Sequence, residues 1–313
     1  LGESWVGKAR YGIMLRDDGM VLDDGTTWRL AEDDYFMTTT TAQAAPVMQF
    51  LEELLQRRWT DLQVHVTSVT DQWAGMAVAG PCVRDVLSAQ FPQIDWSDDA
   101  FPFMAVREFT YAHAGRDITC RVARISFSGE RAFEIYVPFD CDEAIWGELT
   151  SIIQKTGGCL YGMEALGALR IEKGHVTAAE LDGRVTLEDA GFGRMASKTK
   201  PFIGSVLRQR PHLQAENRPQ LVGIYPKDRT QKFSAGAILC APDQLSGFGE
   251  GWVTAVTHSP AIGHWIGLGF ATGGVSAWAG KTLIVADPVR GSFVEAEIVS
   301  PHMFDPKGDR QNG

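Results

Sequence analysis

The chain has 313 residues, of which 44% are hydrophobic and 22% are charged, as in ordinary globular proteins. Asp and Glu outnumber Lys and Arg by 39 to 29, which gives a formal net charge of −10, and no basic cluster interrupts this acidity. The balance argues against nucleic acid or an anionic membrane surface as a partner. The sequence shows no apolar run of the roughly 18 residues that a membrane span needs and no signal-peptide pattern at its start.

The five cysteines lie far apart in the sequence, and no CxxC pair occurs among them. Their odd number and wide spacing argue against both a disulfide framework and a zinc site, and the seven histidines show no ligand spacing. We therefore expect no metal and a reducing, cytoplasmic location. Because the sequence begins Leu1-Gly2-Glu3 without a methionine, we expect it to be part of a longer polypeptide.

The first half of the chain predicts strands mixed with helices. Residues 9–41 predict a β-meander whose first hairpin turns at Arg16-Asp17-Asp18-Gly19, because Asp-Gly supplies the left-handed conformation of a tight turn. Apolar spacing predicts an amphipathic helix in AAPVMQFLEELLQRRW, and Pro81 predicts the start of another through CVRDVLSAQF. Further strands are predicted at LQVHVTSV, WAGMAVAG, EFTYA, DITCRVARISF and AFEIYVP.

The second half changes from helical to strand-rich composition. Asp140 and Glu143 predict a capping box for a helix that ends at Gly157-Gly158, and GMEALGALRIEKG predicts the next helix. Residues 208–220 are polar, contain proline and predict a linker. Short strands separated by Gly and Pro then predict a small barrel or sandwich, in LVGIYP, GAILC, GWVTAVTHS, WIGLGFA, KTLIVAD and FVEAEIVS.

Nucleotide-binding motifs are not found in the sequence. GLGFATGG has GxGxxxG spacing and no predicted helix after it, so we interpret it as a strand and a turn. The sequence contains no Walker A loop, no HExxH and no GxSxG elbow.

Three segments together carry a family resemblance. They are ARYGIML…GMVLDDG (9–25), RISFSGERAFEIYVP (124–138) and YGMEALGALRIEKGH (161–175), followed by GWVTAVTHSPAIGHWIGLGF. Their order and spacing resemble the folate-binding aminomethyltransferase family of the glycine cleavage T-protein, over essentially the whole chain. TTTT after the third strand, TSVTDQWAGMAVAGP and SFSGERAFEI resemble the sarcosine oxidase branch, in the C-terminal part of the α subunit of the heterotetrameric enzymes.

The resemblance implies an α+β fold. An aminomethyltransferase-type folate-binding domain, with antiparallel sheets and helices in two lobes, would be followed by a C-terminal β-barrel. The folate domain is expected at residues 1–207 with its N-terminal part missing, the linker at 208–220 and the barrel at 221–313.

The resemblance also assigns site residues. It matches the catalytic aspartate of the family to Asp24, whereas Asp23 faces the opposite side of the strand. It matches Tyr11 to a tyrosine that lines the folate pocket, Glu134 to the carboxylate that binds the pterin, and Phe127 to a pterin-stacking ring that here lacks a hydroxyl. From the residues alone, Asp24 is more simply the end of a strand, and Glu134 is equally well an outward-facing residue.

The implied function is that of a one-carbon transfer module with tetrahydrofolate as its cofactor. Folate would capture the iminium or formaldehyde from oxidative demethylation of sarcosine and yield 5,10-methylenetetrahydrofolate, while Asp24 stabilises positive charge and accepts a proton. FAD, FMN and NAD are expected only in parts or subunits outside this chain. The expected partners are folate and the other domains or subunits of a flavin-dependent amine oxidase.

Two alternatives stay open. One is a glycine cleavage T-protein that acts on an aminomethyl-lipoyl partner, and the other is a non-catalytic folate-binding or scaffold domain. Leu166 replaces a family arginine and counts against T-protein activity. Arg170 shares its predicted helix with Glu172 and Lys173, so we expect it to form a structural salt bridge.

Overall fold

The structure, a computed structural model, describes residues 5–245 and 247–312. The chain divides into two compact units. Unit 1 consists of the described residues of Leu1–Gly12, Gly25–Tyr161 and Gly308–Gly313, and unit 2 consists of Ile13–Asp24 and the described residues of Gly162–Lys307. Each unit is therefore built from separate stretches of sequence. No helix within the described ranges is long and apolar enough to cross a membrane.

The described residues form groups of antiparallel strands with helices between the groups, as expected of an α+β protein. The strands are β1 (Lys8–Leu15), β2 (Val21–Arg29), β3 (Tyr35–Met37), β4 (Trp73–Ala79), β5 (Val106–His113), β6 (Arg116–Ala123), β7 (Ala132–Pro138), β8 (Pro219–Pro226), β9 (Ile238–Cys240), β10 (Gly251–Ser259), β11 (His264–Thr272), β12 (Leu283–Asp287) and β13 (Ser292–Val299). The helices are α1 (Ala44–Arg57), α2 (Val83–Gln90), α3 (Asp142–Lys155), α4 (Met163–Lys173), α5 (Gly274–Trp278) and α6 (Asp309–Asn312).

The predicted meander is present as a three-stranded sheet in the order β1-β2-β3. Its first turn lies where Asp-Gly predicted it: Gly19 has φ +90°, and its amide donates a hydrogen bond of 3.0 Å to the Arg16 carbonyl. Asp18 Oδ1 accepts a further bond of 2.9 Å from the Met20 amide. Strand β3 covers only three residues of the predicted YFMTTTT.

Unit 1 contains a four-stranded antiparallel sheet in the order β4-β7-β6-β5. Strand β7 has neighbours on both sides, and its side chains alternate as a strand requires. Phe133, Ile135 and Val137 are fully buried in the core, to which α2 and α3 also contribute. Glu134 and Tyr136 face the other side and are half-buried.

Two local predictions for unit 1 are wrong. LQVHVTSV (62–69) forms no strand, and Leu62 and Val64 are exposed, because alternating apolar residues make a strand only where a neighbouring strand pairs with them. Helix α3 has no capping box, since its N-cap residue, Cys141, makes no side-chain cap bond. The Asp140 carboxylate instead accepts a bond of 2.6 Å from Arg116.

Unit 2 contains a closed barrel in the order β10-β11-β8-β13-β12-β9. These six strands correspond to the six predicted segments, and their inward side chains form one apolar cluster. GLGFATGG lies in β11 and the turn at Gly273, as interpreted, except that its last residue, Gly274, is the first residue of α5. The expectation that no helix follows is wrong, since the five-residue α5 begins after Gly273, whose φ is +69°.

The compact units differ from the domains expected from the sequence. Residues 162–207 lie in the same unit as the barrel, and unit 2 also includes residues 13–24. The expected linker, 208–220, contains the 3₁₀ turn Pro211–Leu213 and the first residues of β8. Arg218 within it forms an ion pair of 2.5 Å with Asp189, so this segment is held by contacts. The domain boundaries at 207 and 221 stay a prediction.

Two glycine substitutions should change stability in opposite directions. Gly174 has φ +82°, and an added Cβ would lie 2.5 Å from the Pro301 carbonyl oxygen, so Gly174→Ala should lower the free energy of unfolding by about 2 kcal/mol or more. Gly147 lies within α3, and no atom lies within 4 Å of an added Cβ. Gly147→Ala should therefore raise the free energy of unfolding by about 0.5–1 kcal/mol. Urea unfolding measures both, and an unchanged Gly174→Ala midpoint would contradict the packing described.

Candidate active site

Asp24 and Asp23 lie side by side in β2 but in different environments. Asp23 is 3% exposed, whereas Asp24 is half-buried, as expected for adjacent residues on opposite faces of a strand. Asp24 belongs to unit 2, and the next residue, Gly25, belongs to unit 1. The catalytic role of Asp24 stays a prediction.

Glu134 lies in the middle of β7 on the face opposite the unit 1 core. Its direct neighbours across the sheet are Ala77 on β4 and Ala123 on β6, so small side chains flank the carboxylate on both sides. Burial raises the pKa of Glu134 above its ordinary value. The strand thus holds a carboxylate in surroundings that penalise its charged form.

Tyr136 donates the hydrogen bond that Glu134 receives. The Tyr136 hydroxyl lies 3.2 Å from Glu134 Oε2, and this bond lowers the pKa of Glu134 against the larger effect of burial. Trp28 and Phe36 hold the Tyr136 ring edge-on, with centroid distances of 5.2 and 5.3 Å. Burial and the Glu134 charge raise the pKa of Tyr136, so its hydroxyl remains protonated at neutral pH.

The basic side chain directly across the sheet from Tyr136 has other partners. Arg121 on β6 lies directly across the sheet from Tyr136, and its guanidinium stacks 4.1 Å from the Trp73 ring. Its Nε donates a bond of 2.7 Å to Glu108 on β5. Arg121 therefore has its own carboxylate and does not neutralise Glu134.

Phe127 is 38% exposed in the loop between β6 and β7. The loop is held by side-chain to backbone bonds, since the Ser126 hydroxyl accepts a bond of 3.0 Å from the Gly129 amide. Gly129 has φ +83°, a conformation that favours glycine. Tyr11 lies in β1 and is half-buried.

Three of the four predicted site residues, Tyr11, Phe127 and Glu134, lie in unit 1, and Asp24 lies in unit 2. Their roles as a set stay a prediction. Tyr136 and its contact with Glu134 were not predicted from the sequence. The alternation in AFEIYVP could have revealed it, because residues two apart on a strand share a face. Tyr161 was also missed, and burial and the Glu134 charge raise the pKa of its hydroxyl.

The predicted salt bridge of Arg170 is confirmed, but its partner is Glu180 rather than Glu172. Arg170 Nη1 lies 2.8 Å from Glu180 Oε2, and the Glu180 side chain is fully buried. Glu180 also accepts bonds from the Thr177 amide at 2.8 Å and from the Thr254 hydroxyl at 2.5 Å. This network fastens helix α4 to strand β10 within unit 2.

With the geometry established, comparison with known proteins identifies the family. Residues 2–200 match the family model described as the GCVT N-terminal domain. The chain belongs to the GCVT family. The resemblance drawn from the three sequence segments is thereby confirmed.

Proteins with two different names are similar to this chain over nearly its whole length. Sarcosine oxidase subunit alpha of Rhizobium meliloti (strain 1021) is 44% identical over 308 residues, which are 97% of this chain and 31% of that protein. The aminomethyltransferase of Streptomyces coelicolor (strain ATCC BAA-471 / A3(2) / M145) is 27% identical over 299 residues, which are 94% of this chain and 76% of that protein. The chain thus spans about a third of the length of the sarcosine oxidase subunits that it matches.

The fold has a solved counterpart. The crystal structure of glycine cleavage system aminomethyltransferase T from Bartonella henselae superimposes with a TM-score of 0.79 at 21% identity, covering 96% of this chain and 77% of that one. The predicted α+β fold of the aminomethyltransferase type with a C-terminal β-barrel is confirmed.

Replacing Glu180 tests the structural role of Arg170. Glu180→Ala leaves the Arg170 guanidinium buried without its carboxylate, so the free energy of unfolding should fall by about 3–5 kcal/mol. Replacing the exposed Glu53 on α1, which pairs with Arg57, should cost less than about 1 kcal/mol. Thermal or urea unfolding compares the two variants, and equal losses would contradict the difference in burial.

Proposed function

We propose that this chain is the tetrahydrofolate-binding, one-carbon transfer module of a sarcosine oxidase-like enzyme. The 44% identity to a sarcosine oxidase subunit alpha over 97% of the chain supports this branch of the family. Its substrate is the one-carbon unit released by oxidative demethylation of sarcosine, as iminium or formaldehyde. Its product is 5,10-methylenetetrahydrofolate. The amine would be oxidised in parts of the enzyme that carry the flavins.

The observation that carries the proposal is the environment of the Glu134 carboxylate. It is a half-buried carboxylate with a raised pKa, and within the described residues the one hydrogen bond that its side chain accepts comes from Tyr136. A buried carboxylate is costly unless donors satisfy both oxygens. The pterin of folate has an amino group and a ring N–H side by side, and these would supply donors to Glu134. The donor chemistry of the ligand therefore fits the acceptor that the strand presents.

Phe127, Tyr11 and Asp24 would contribute to folate binding and to one-carbon transfer. The exposed ring of Phe127 can stack on a flat heterocycle, and Tyr11 is assigned to the wall of the same site. Bound tetrahydrofolate would supply the nucleophilic ring nitrogens that take up the one-carbon unit. Asp24 would stabilise positive charge and accept a proton from nitrogen.

The aminomethyltransferase reaction is the alternative within the family. Its named relatives share 27–29% identity with this chain, against 41–44% for the sarcosine oxidase subunits. Leu166 also stands where the T-protein motif has an arginine. Both observations favour the sarcosine oxidase branch.

Folate binding should depend on Glu134. Reduced folate titrated into the chain should quench the fluorescence of its nine tryptophans, and Glu134→Ala should raise the dissociation constant by about 10- to 100-fold, because hydrogen bonds to a charged group are lost. The exposed Glu53→Ala variant should bind as the wild type does. Equal affinity of the Glu134→Ala variant and the wild type would count against the proposed site.

Transfer should depend on Asp24. Asp24→Asn keeps the shape and removes the charge, so folate affinity should stay within a few-fold while the rate of 5,10-methylenetetrahydrofolate formation falls by about 100-fold or more. The assay uses the complete flavoenzyme with sarcosine as donor. Asp33→Asn, in the exposed turn before β3, is the matched control. A normal transfer rate in Asp24→Asn would exclude the catalytic role.

A further inference from the structure

We propose that Tyr136 is a positioning residue that holds one oxygen of Glu134 and so leaves the other oxygen aimed at the ligand. This inference rests on the proposed role of Glu134 in folate binding. Tyr136 donates to Glu134 Oε2 at 3.2 Å, and no described residue hydrogen-bonds to Oε1. A carboxylate fixed at one oxygen has lost rotational freedom before the ligand arrives, and this reduces the entropic cost of binding.

The Tyr136 ring is itself fixed in place. Trp28 is fully buried and meets the ring edge-on, and Phe36 meets it from another direction at an interplanar angle of 72°. On the neighbouring strand, Gly75 lies directly across from Tyr136, and a Cβ there would come within 3.0 Å of the ring. The glycine thus makes room for the ring and leaves the hydroxyl little freedom to move away from Glu134.

Other charged groups on this face do not replace Tyr136. Arg121 and Glu108 pair with each other at 2.7 Å. The two positions directly across the sheet from Glu134 are alanines, which carry no charge. The charge of Glu134 raises the pKa of the Tyr161 hydroxyl, but among the described residues these two side chains form no hydrogen bond with each other. Tyr136 is therefore the hydrogen-bond donor to Glu134 within the described part of the chain.

The contact predicts a measurable pH dependence. Burial raises the pKa of Glu134, and the Tyr136 bond opposes this rise because it stabilises the ionised form. The donors of a pterin require an ionised acceptor, so folate affinity should fall as the pH drops through the pKa of Glu134. Without the Tyr136 hydroxyl that pKa rises further, and the affinity should fall at a higher pH. A purely structural role for Tyr136 would not move this profile.

Tyr136→Phe tests the inference, because it removes the hydroxyl and keeps the ring. We expect the carbon-13 signal of the Glu134 carboxyl, assigned with Glu134→Gln, to titrate at a higher pH than in the wild type. Reduced-folate affinity at pH 7 should fall about 2- to 10-fold, as for one lost hydrogen bond, and its pH profile should shift the same way. Tyr35→Phe, which removes an exposed hydroxyl on β3, should change neither measurement.

The outcomes separate this inference from the proposed function. If folate binds and depends on Glu134, but the Glu134 titration is the same in Tyr136→Phe and the wild type, the positioning role alone is wrong. If the folded wild type binds no reduced folate, the proposed function fails and the role of Tyr136 in ligand binding fails with it. Gly75→Ala adds a second variant, which keeps the hydroxyl and displaces the ring, and it should also weaken folate binding.

Discussion

The constraint on which unit 1 depends is the position of β7 between two other strands. Strand β7 pairs with β4 along its whole length and with β6 at residues 134–136, so its side chains have only two directions there. Phe133, Ile135 and Val137 fill the core on one side. Register fixed by that core also fixes Glu134 and Tyr136 on the other side. A shift of one residue would bury the carboxylate in the core, so the packing and the candidate site specify the same register.

Buried carboxylates in this chain are satisfied in different ways. Glu180 and Asp189 in unit 2 each pair with an arginine, which suits groups that hold structure in place. Glu134 instead accepts a hydrogen bond from the neutral hydroxyl of Tyr136. Arg121, which lies on the same face of the sheet, pairs with Glu108. A neutral donor leaves the negative charge of Glu134 in place for a ligand.

The sequence correctly predicted the helices, strands and turns that are specified by residues close together in the chain. The Asp-Gly turn at 16–19, helix α1 and the six barrel strands were all found from glycine, proline and apolar spacing. Predictions that depended on distant partners were wrong: residues 62–69 have a strand pattern without a paired strand. The contact between Tyr136 and Glu134 could be predicted from the local alternation of β7, because the two residues are two positions apart on one strand. The packing of Trp28 and Phe36 on the Tyr136 ring could not, because it depends on tertiary structure.

The interleaving of the two units has a consequence for synthesis. Unit 2 begins with residues 13–24 and continues at residue 162, while unit 1 receives residues 308–312 after unit 2 has ended. During translation neither unit has all its parts until most of the chain has left the ribosome, so stepwise folding of one finished domain before the next is not available. The barrel adds pairings such as Gly223 with Val299, which close a long loop. We expect slow folding for this reason.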